Sequence, residues 1–192
     1  LNIGSSAISG GVPAGTINQY NDIDLNGGTL NIDPGGKVFI MDNLRVAQAV
    51  SGGTLTMSGG ELYIVYYGNG SVGSLGFDTY ATSTINVSGG NIYLCGQEAT
   101  GKMVDWSATA TYNITGGTIN LLNEQSSGAT NNPGYCNFGG KTINNFTVNR
   151  SGATSYLITN STTLNGNFTI TAGTFDANAL NITLAGNWSN SG

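Results

Sequence analysis

Hydrophobic and polar residues alternate along this chain in short segments, and these segments occur in pairs joined by a glycine-rich bend. Four such pairs are present, and successive pairs start 25, 30 and 27 residues apart. Period-two alternation over four or five residues is typical of a half-buried β-strand. The pairs are residues 29–32 with 37–40, 54–57 with 61–64, 84–87 with 91–94, and 111–114 with 118–121.

A repeat of this length predicts a stacked architecture, in which each repeat buries its apolar face against the next. The apolar positions align from copy to copy, as Leu30, Leu55 and Ile85 do. We therefore expect an all-β fold, a right-handed parallel β-solenoid (β-helix), with Gly-Gly supplying the positive φ of a sharp corner. The alternative is a set of antiparallel hairpins forming a β-sandwich, since three-residue connections also close hairpins.

Segments of unequal length follow the second strand of three repeats, at residues 66–83, 96–110 and 123–137. Insertions at one corner of a solenoid lie on one side of it, often the binding side. We expect one repeat domain over residues 1–192, with regular copies at 29–121 and variant repeats at 139–192.

The variant repeats have their own motifs. Residues 139–148 read GGKTINNFTV, residues 163–170 read TLNGNFTI, and residues 180–190 read LNITLAGNWSN. This stretch resembles the repeats of large, secreted, adhesin-like surface proteins of Bacteroidetes-like bacteria, which are exported by the type IX pathway. The resemblance implies a secreted or cell-surface location and a β-solenoid fold.

Composition narrows the functional classes. Only 8% of the residues are charged, the net charge is -5, and Lys and Arg together number five. Nucleic-acid binding needs clustered cations, so we expect no such partner. No apolar run is long enough to span a membrane. Histidine is absent, which removes the commonest metal ligand and general base, and we expect no cofactor. The chain does not begin with Met, which indicates a processed protein or a segment of a longer one.

Aromatic residues form a column on the outward face of the second strands. Phe39, Tyr63 and Tyr93 occupy equivalent positions, and Tyr66 and Tyr67 lie nearby. Such a column can stack on sugar rings, or it can pack under an insertion or against a neighbouring subunit. We therefore take these five residues as candidate contacts for a glycan or a protein partner.

The two cysteines and a group of three aspartates each have both a chemical and a structural interpretation. Cys95 and Cys136 either form one disulfide in an exported protein or remain two buried thiols. Asp22, Asp24 and Asp33 loosely resemble a calcium loop, but the first two alternate with apolar residues as in a half-exposed strand. The strand interpretation is the stronger, and we expect no metal site.

Asn-x-Ser/Thr sequences occur at nine positions, and in a eukaryotic or archaeal secreted protein some would be glycosylated. Asn and Thr are also the outward residues of the repeat, which produces such sequences by chance. They begin at Asn69, Asn86, Asn113, Asn145, Asn149, Asn160, Asn167, Asn181 and Asn187.

Catalysis on a β-helix needs clustered carboxylates, but the ten acidic residues are scattered along the chain, and we expect no two at the same position of successive repeats. Asp78, Glu98 and Asp105 lie in the inserted segments and form the best enzymatic case. We predict instead a nonenzymatic extracellular structural protein: a self-associating filament, surface-layer or adhesin-stalk segment that forms a homopolymer or larger surface assembly. The alternative is a carbohydrate-binding module or a polysaccharide-active β-helix protein.

Overall fold

Parallel strand pairing organises the chain into stacked coils. The structure is a computed structural model that describes residues 2–3, 16–19, 22–40, 43–48, 52–65, 76–95, 101–123 and 132–192. All pairings between the described strands are parallel, and each strand pairs with the equivalent strand of the neighbouring repeat. The parallel β-solenoid is therefore confirmed, and the antiparallel sandwich is wrong. The right-handed sense stays a prediction, consistent with the general chirality of parallel crossovers.

The strands lie on three faces. Face 1 consists of β1 (Asn2–Ile3), β4 (Thr29–Ile32), β7 (Gly53–Met57), β10 (Ser83–Val87) and β13 (Thr111–Ile114), followed in chain order by β16 (Thr142–Ile143), β18 (Thr162–Leu164) and β20 (Ile182–Leu184). Face 2 consists of β2 (Thr16–Gln19), β5 (Lys37–Ile40), β8 (Glu61–Val65), β11 (Asn91–Cys95), β14 (Thr118–Leu122), the first parts of β17 (Asn145–Leu157) and β19 (Phe168–Asp176), and β21 (Trp188–Asn190). Face 3 consists of β3 (Ile23–Leu25), β6 (Leu44–Val46), β9 (Phe77–Thr79), β12 (Lys102–Asp105), β15 (Gly134–Asn137) and the last parts of β17 and β19.

A coil is one passage of the chain around these faces. We number the described coils 1 to 8, each beginning with its face 1 strand, so that coil 1 begins with β1 and coil 8 with β20. β17 and β19 each run through faces 2 and 3 without interruption. The regular and variant repeats stack directly, because β14 pairs in register with β17.

The interior is built from columns of equivalent apolar residues. Leu30, Leu55 and Ile85 are paired in register and buried, as the alternation predicts. Tyr112 continues this column but is only partly buried, and its ring stacks on Trp106 with centroids 4.9 Å apart. Burying apolar columns coil by coil provides the main driving force for this stack.

The Gly-Gly corner works differently at its two positions. In three of the four corners only the second glycine has positive φ, for example +86° at Gly90, whereas at Gly35-Gly36 it is the first glycine, with φ +82°. A Cβ on Gly90 would lie 2.5 Å from the carbonyl oxygen of Gly59 in the coil below. The first glycine, Gly89, has an ordinary φ, but its Cβ would lie 2.7 Å from the Ser58 carbonyl oxygen. One glycine is therefore required by both backbone conformation and close packing, and the other by packing alone.

The prediction of two strands per repeat was incomplete. The segments interpreted as insertions contain β9, β12 and β15, which form face 3. Connections of unequal length do lie at one corner, between faces 2 and 3, as the spacing of β8 from β9 and of β11 from β12 shows. The third strand escaped detection because its residues do not alternate clearly: all three residues of β9 are buried.

Candidate functional site

A column of charged and amide side chains runs along the outside of face 3. Strand register places Asp24 beside Arg45, Arg45 beside Asp78, Asp78 beside Asp105, and Asp105 beside Asn137. Their neighbours Phe77 and Val104 are in the core, so these polar residues point to the other side of the sheet. Adjacent strands lie about 4.8 Å apart, which brings Asp78 and Asp105 close together.

The first part of this column is a compact ion-pair cluster. Arg45 bonds to the carboxylates of Asp22 and Asp24, and its Nε lies 2.7 Å from Asp24 Oδ1. Asp22 Oδ1 also accepts hydrogen bonds from the backbone and side-chain nitrogens of Asn43. Asp33 lies elsewhere and accepts a bond from Ser58 Oγ. The loose calcium-loop resemblance therefore corresponds to a strand held by Arg45, as the strand interpretation proposed.

Asp105 is held by two donors from neighbouring positions. Lys102 Nζ lies 2.6 Å from its Oδ2, and Asn137 Nδ2 donates to its Oδ1 at 2.9 Å. Asn137 is in turn fixed, because its Oδ1 accepts from Gly139 N and from Asn160 Nδ2. Asp105 is therefore a carboxylate with a compensating cation and a fixed orientation.

Asp78 has the opposite environment. Its residue is only 8% exposed, and its Oδ1 is buried with no hydrogen-bond partner in the described structure. Desolvation by burial, followed by the negative charge of Asp105, raises the pKa of Asp78 to about 7, while Arg45 and Lys102 oppose the rise. The carboxyl is therefore protonated in weakly acidic solution, where it is a neutral group that both donates and accepts hydrogen bonds.

Asp78, Asp105 and Asn137 line an open groove of about 510 Å³, which we call the face 3 groove. Its volume lies within the usual range for small-molecule sites. It crosses several coils, and its lining includes Asp78, Tyr80, Asp105, Ser107, Asn137 and Asn160. Trp106 is buried beside it, with its ring between Phe77, Tyr112 and Phe138.

The expectation that no two acids share a position in successive repeats was wrong. Asp78 and Asp105 are register partners on β9 and β12. A sequence signal for this was present: Asp78 precedes Thr84 by six positions, and Asp105 precedes Thr111 by six positions. Counting back from the face 1 strand that follows each acid identifies Asp78 and Asp105 as equivalent. Counting forward from the preceding face 2 strand does not, because the connections between faces 2 and 3 differ in length. Glu98, the third acid of that hypothesis, lies outside the described residues.

The outward aromatic column on face 2 is a ring stack. Phe39 and Tyr63 have centroids 4.5 Å apart, and Tyr63 and Tyr93 have centroids 4.4 Å apart. The faces of Tyr63 are thus occupied by its two neighbours, which leaves ring edges for contact with a partner. Tyr66 and Tyr67 lie outside the described residues.

Both cysteines are buried free thiols, on β11 and β15. Burial raises the pKa of Cys95 to about 12, and that of Cys136 to about 12 although the Arg150 guanidinium opposes the rise. The structure therefore corresponds to the second of the two alternatives left open by the sequence. Such thiols are poor nucleophiles and ligands, since the thiolate is the reactive form.

No group of three or more His, Cys, Asp or Glu side chains suited to a metal ion occurs among the described residues. Nor do these residues form any helix with the length and apolar character of a membrane crossing. Comparison of the chain with protein-family models, with curated proteins and with solved structures finds no match.

Proposed function

We propose that this chain is a nonenzymatic structural segment of an extracellular filament, surface layer or adhesin stalk, which self-associates by stacking coil upon coil. The observation that supports it best is the outer side of coil 8, which continues the stacking column of the coils before it and is covered by no described residue. Phe146, Phe168 and Trp188 form one column of register partners, and the last two meet edge to face with centroids 4.6 Å apart. Phe146 and Phe168 are buried, whereas Trp188 is 55% exposed.

The backbone at this edge also has the hydrogen-bond pattern that pairs one coil with the next. Phe146 N donates to Asn167 O of the next coil at 2.9 Å, and Phe168 N donates to Asn187 O at 2.9 Å. The equivalent donor of coil 8 is Trp188 N, which by this pattern points away from β19 toward the open side. Unpaired edge donors beside exposed apolar side chains are a template for strand addition.

The edge lacks the usual protection against such pairing. Exposed edges are normally blunted by charged side chains or proline, yet residues 177–192 contain neither. The occupant we propose is a second copy of this chain in the same orientation, with its coil 1 on coil 8. All pairings between the described strands are parallel, so this contact is head to tail, and copies stacked in this way along the solenoid axis form a filament. The extracellular location rests on the resemblance of residues 139–190 to exported repeats.

Sedimentation and light scattering over a range of concentrations, with electron microscopy of the largest species, test this proposal. The wild-type chain is expected to assemble with increasing concentration, and Trp188→Lys, which places a charge on the open column, is expected to remain monomeric. Trp188→Phe is the matched control, because it keeps an aromatic ring and should assemble. A wild-type chain that stays monomeric, or a Lys variant that assembles equally well, contradicts the proposal.

A further inference from the structure

The face 3 groove combines three different polar groups on neighbouring strands. It places a carboxyl, a charge-compensated carboxylate and an amide on three successive coils, at Asp78, Asp105 and Asn137. The hydroxyls of Tyr80 and Ser107 belong to residues of the same lining. The groove therefore offers both donors and acceptors along the solenoid axis over about 10 Å, which is two strand spacings.

Asp78 is the observation that points to a ligand. The residue is 8% exposed and belongs to the groove lining, and its Oδ1 has no hydrogen-bond donor among the described residues. A buried polar group without a partner costs stability, typically about 1–3 kcal/mol, and native proteins satisfy most such groups. A scaffold built from otherwise consistent repeats has no structural need for this residue, because a Leu or Val at the position would avoid the cost.

The charges around the groove indicate the ligand class. Lys102 is already paired with Asp105, and Arg45 is already paired with both Asp22 and Asp24, so neither of these cations is left for a ligand anion. A ligand carboxylate would meet Asp105, and above neutral pH it would also meet a charged Asp78. Neutral hydroxyl groups suit both a protonated carboxyl and an amide, because each of the three both donates and accepts.

We propose that the face 3 groove binds a neutral oligosaccharide lying along the solenoid axis, with its hydroxyl groups bonded to Asp78, Asp105 and Asn137. An open groove of about 510 Å³ with polar groups on three successive coils fits a short sugar chain better than it fits a single small ion. The groove is on the side of the coils, so this proposal stands independently of stacking at coil 8. It also replaces the face 2 ring stack as the glycan contact of the chain.

The experiment is calorimetric titration of the wild-type chain at pH 6 with three classes of probe. Neutral probes are cellotetraose, xylotetraose and mannotetraose; the acidic probe is trigalacturonic acid; the cationic probe is a glucosamine oligomer. We expect binding of at least one neutral probe and none of the acidic probe. Failure of all three neutral probes to bind, or preference for the acidic or cationic probe, overturns the proposal.

Variants of Asp78 test the site itself. Asp78→Leu should lower affinity for the neutral probe at least about tenfold, the value of one hydrogen bond. Asp78→Asn should retain most of the affinity, because the amide also donates and accepts. Asp33→Asn, at an exposed acid outside the groove lining, is the matched control and should bind as wild type. Circular dichroism checks that each variant folds, and equal affinity in wild type and Asp78→Leu refutes the assignment.

Discussion

The buried carboxyl of Asp78 should make this protein less stable as the pH rises from 4 to 7. Its pKa is about 7 in the folded chain, against about 4 for an unfolded Asp. Between these values the folded state holds a proton that the unfolded state has released, so raising the pH favours unfolding. The expected loss is about 1.4 kcal/mol per pH unit, and about 4 kcal/mol over the whole interval.

The perturbation is Asp78→Asn, which keeps the shape and removes the titration. The free energy of unfolding is measured by urea denaturation at several pH values from 4 to 8 for both proteins. Acids that do not interact with Asp78 contribute equally to both curves, so the difference between the curves reports Asp78 together with its coupling to Asp105. Wild type minus variant should fall steadily between pH 4 and 7 and become flat above pH 7. In Asp33→Asn, which retains Asp78, the stability should change with pH as in wild type.

Parallel stability curves for wild type and Asp78→Asn would refute this reasoning, because the proton would then be bound equally in both states. A carbon-13 NMR titration of the Asp carboxyl signals gives an independent measurement. It should show one carboxyl titrating near pH 7 that disappears in the variant. A titration near pH 4 for every Asp would show that the Asp78 carboxyl is solvated or paired in the folded chain.

Three other substitutions or reactions test the scaffold. Gly90→Ala should lower the free energy of unfolding by more than the roughly 1–2 kcal/mol that a left-handed backbone conformation costs, because the new Cβ would also clash with backbone atoms of the neighbouring coil. Gly28→Ala is the control and should not cause this loss, because no atom lies within 4 Å of its Cβ position. In urea denaturation, Tyr63→Ala should cost about 1–3 kcal/mol by interrupting the ring stack, and Tyr63→Phe less than about 0.5 kcal/mol. Cys95 and Cys136 should not react with a thiol reagent in the native protein but should react fully in denaturant, and fast native labelling would contradict their burial.

Faces 1 and 2 could be predicted from the sequence because each strand has its own alternation and a Gly-Gly corner fixes its neighbour. Leu55 and Leu62 are buried as the pattern requires. Face 3 could not be predicted in the same way. β9 has Phe77 in the core, but Asp78 and Thr79 are also buried, so no polar–apolar contrast marks the strand. Periodicity reports the contrast between buried and exposed positions, and a strand whose outward residue is also buried lacks that contrast.

The candidate site was missed for a related reason. Asp78 and Asp105 both lie in long segments of unequal length. Their register is set by their equal distance from the face 1 strand that follows each of them. Unequal connections between faces 2 and 3 hide that register from a reading that starts at the preceding strand. The hydrogen bond between Asn137 and Asp105 could not be predicted from local sequence either, because Asn137 belongs to the following coil.

The scaffold and the groove require different kinds of sequence, and in this chain the two kinds lie on different faces of the solenoid. Stacking requires equivalent residues at equivalent positions, and faces 1 and 2 meet this with apolar columns such as Val38, Leu62 and Ile92. The binding that we propose requires different groups side by side, and face 3 places the carboxyl of Asp78 next to that of Asp105, which is paired with Lys102. The strand spacing of the scaffold sets the separation of these groups without any loop having to position them. Local departures from an otherwise consistent pattern are expected at functional sites, and the unpartnered Asp78 is such a departure. A variant that blocks stacking at Trp188 should therefore leave the groove intact, and a variant at Asp78 should leave assembly intact.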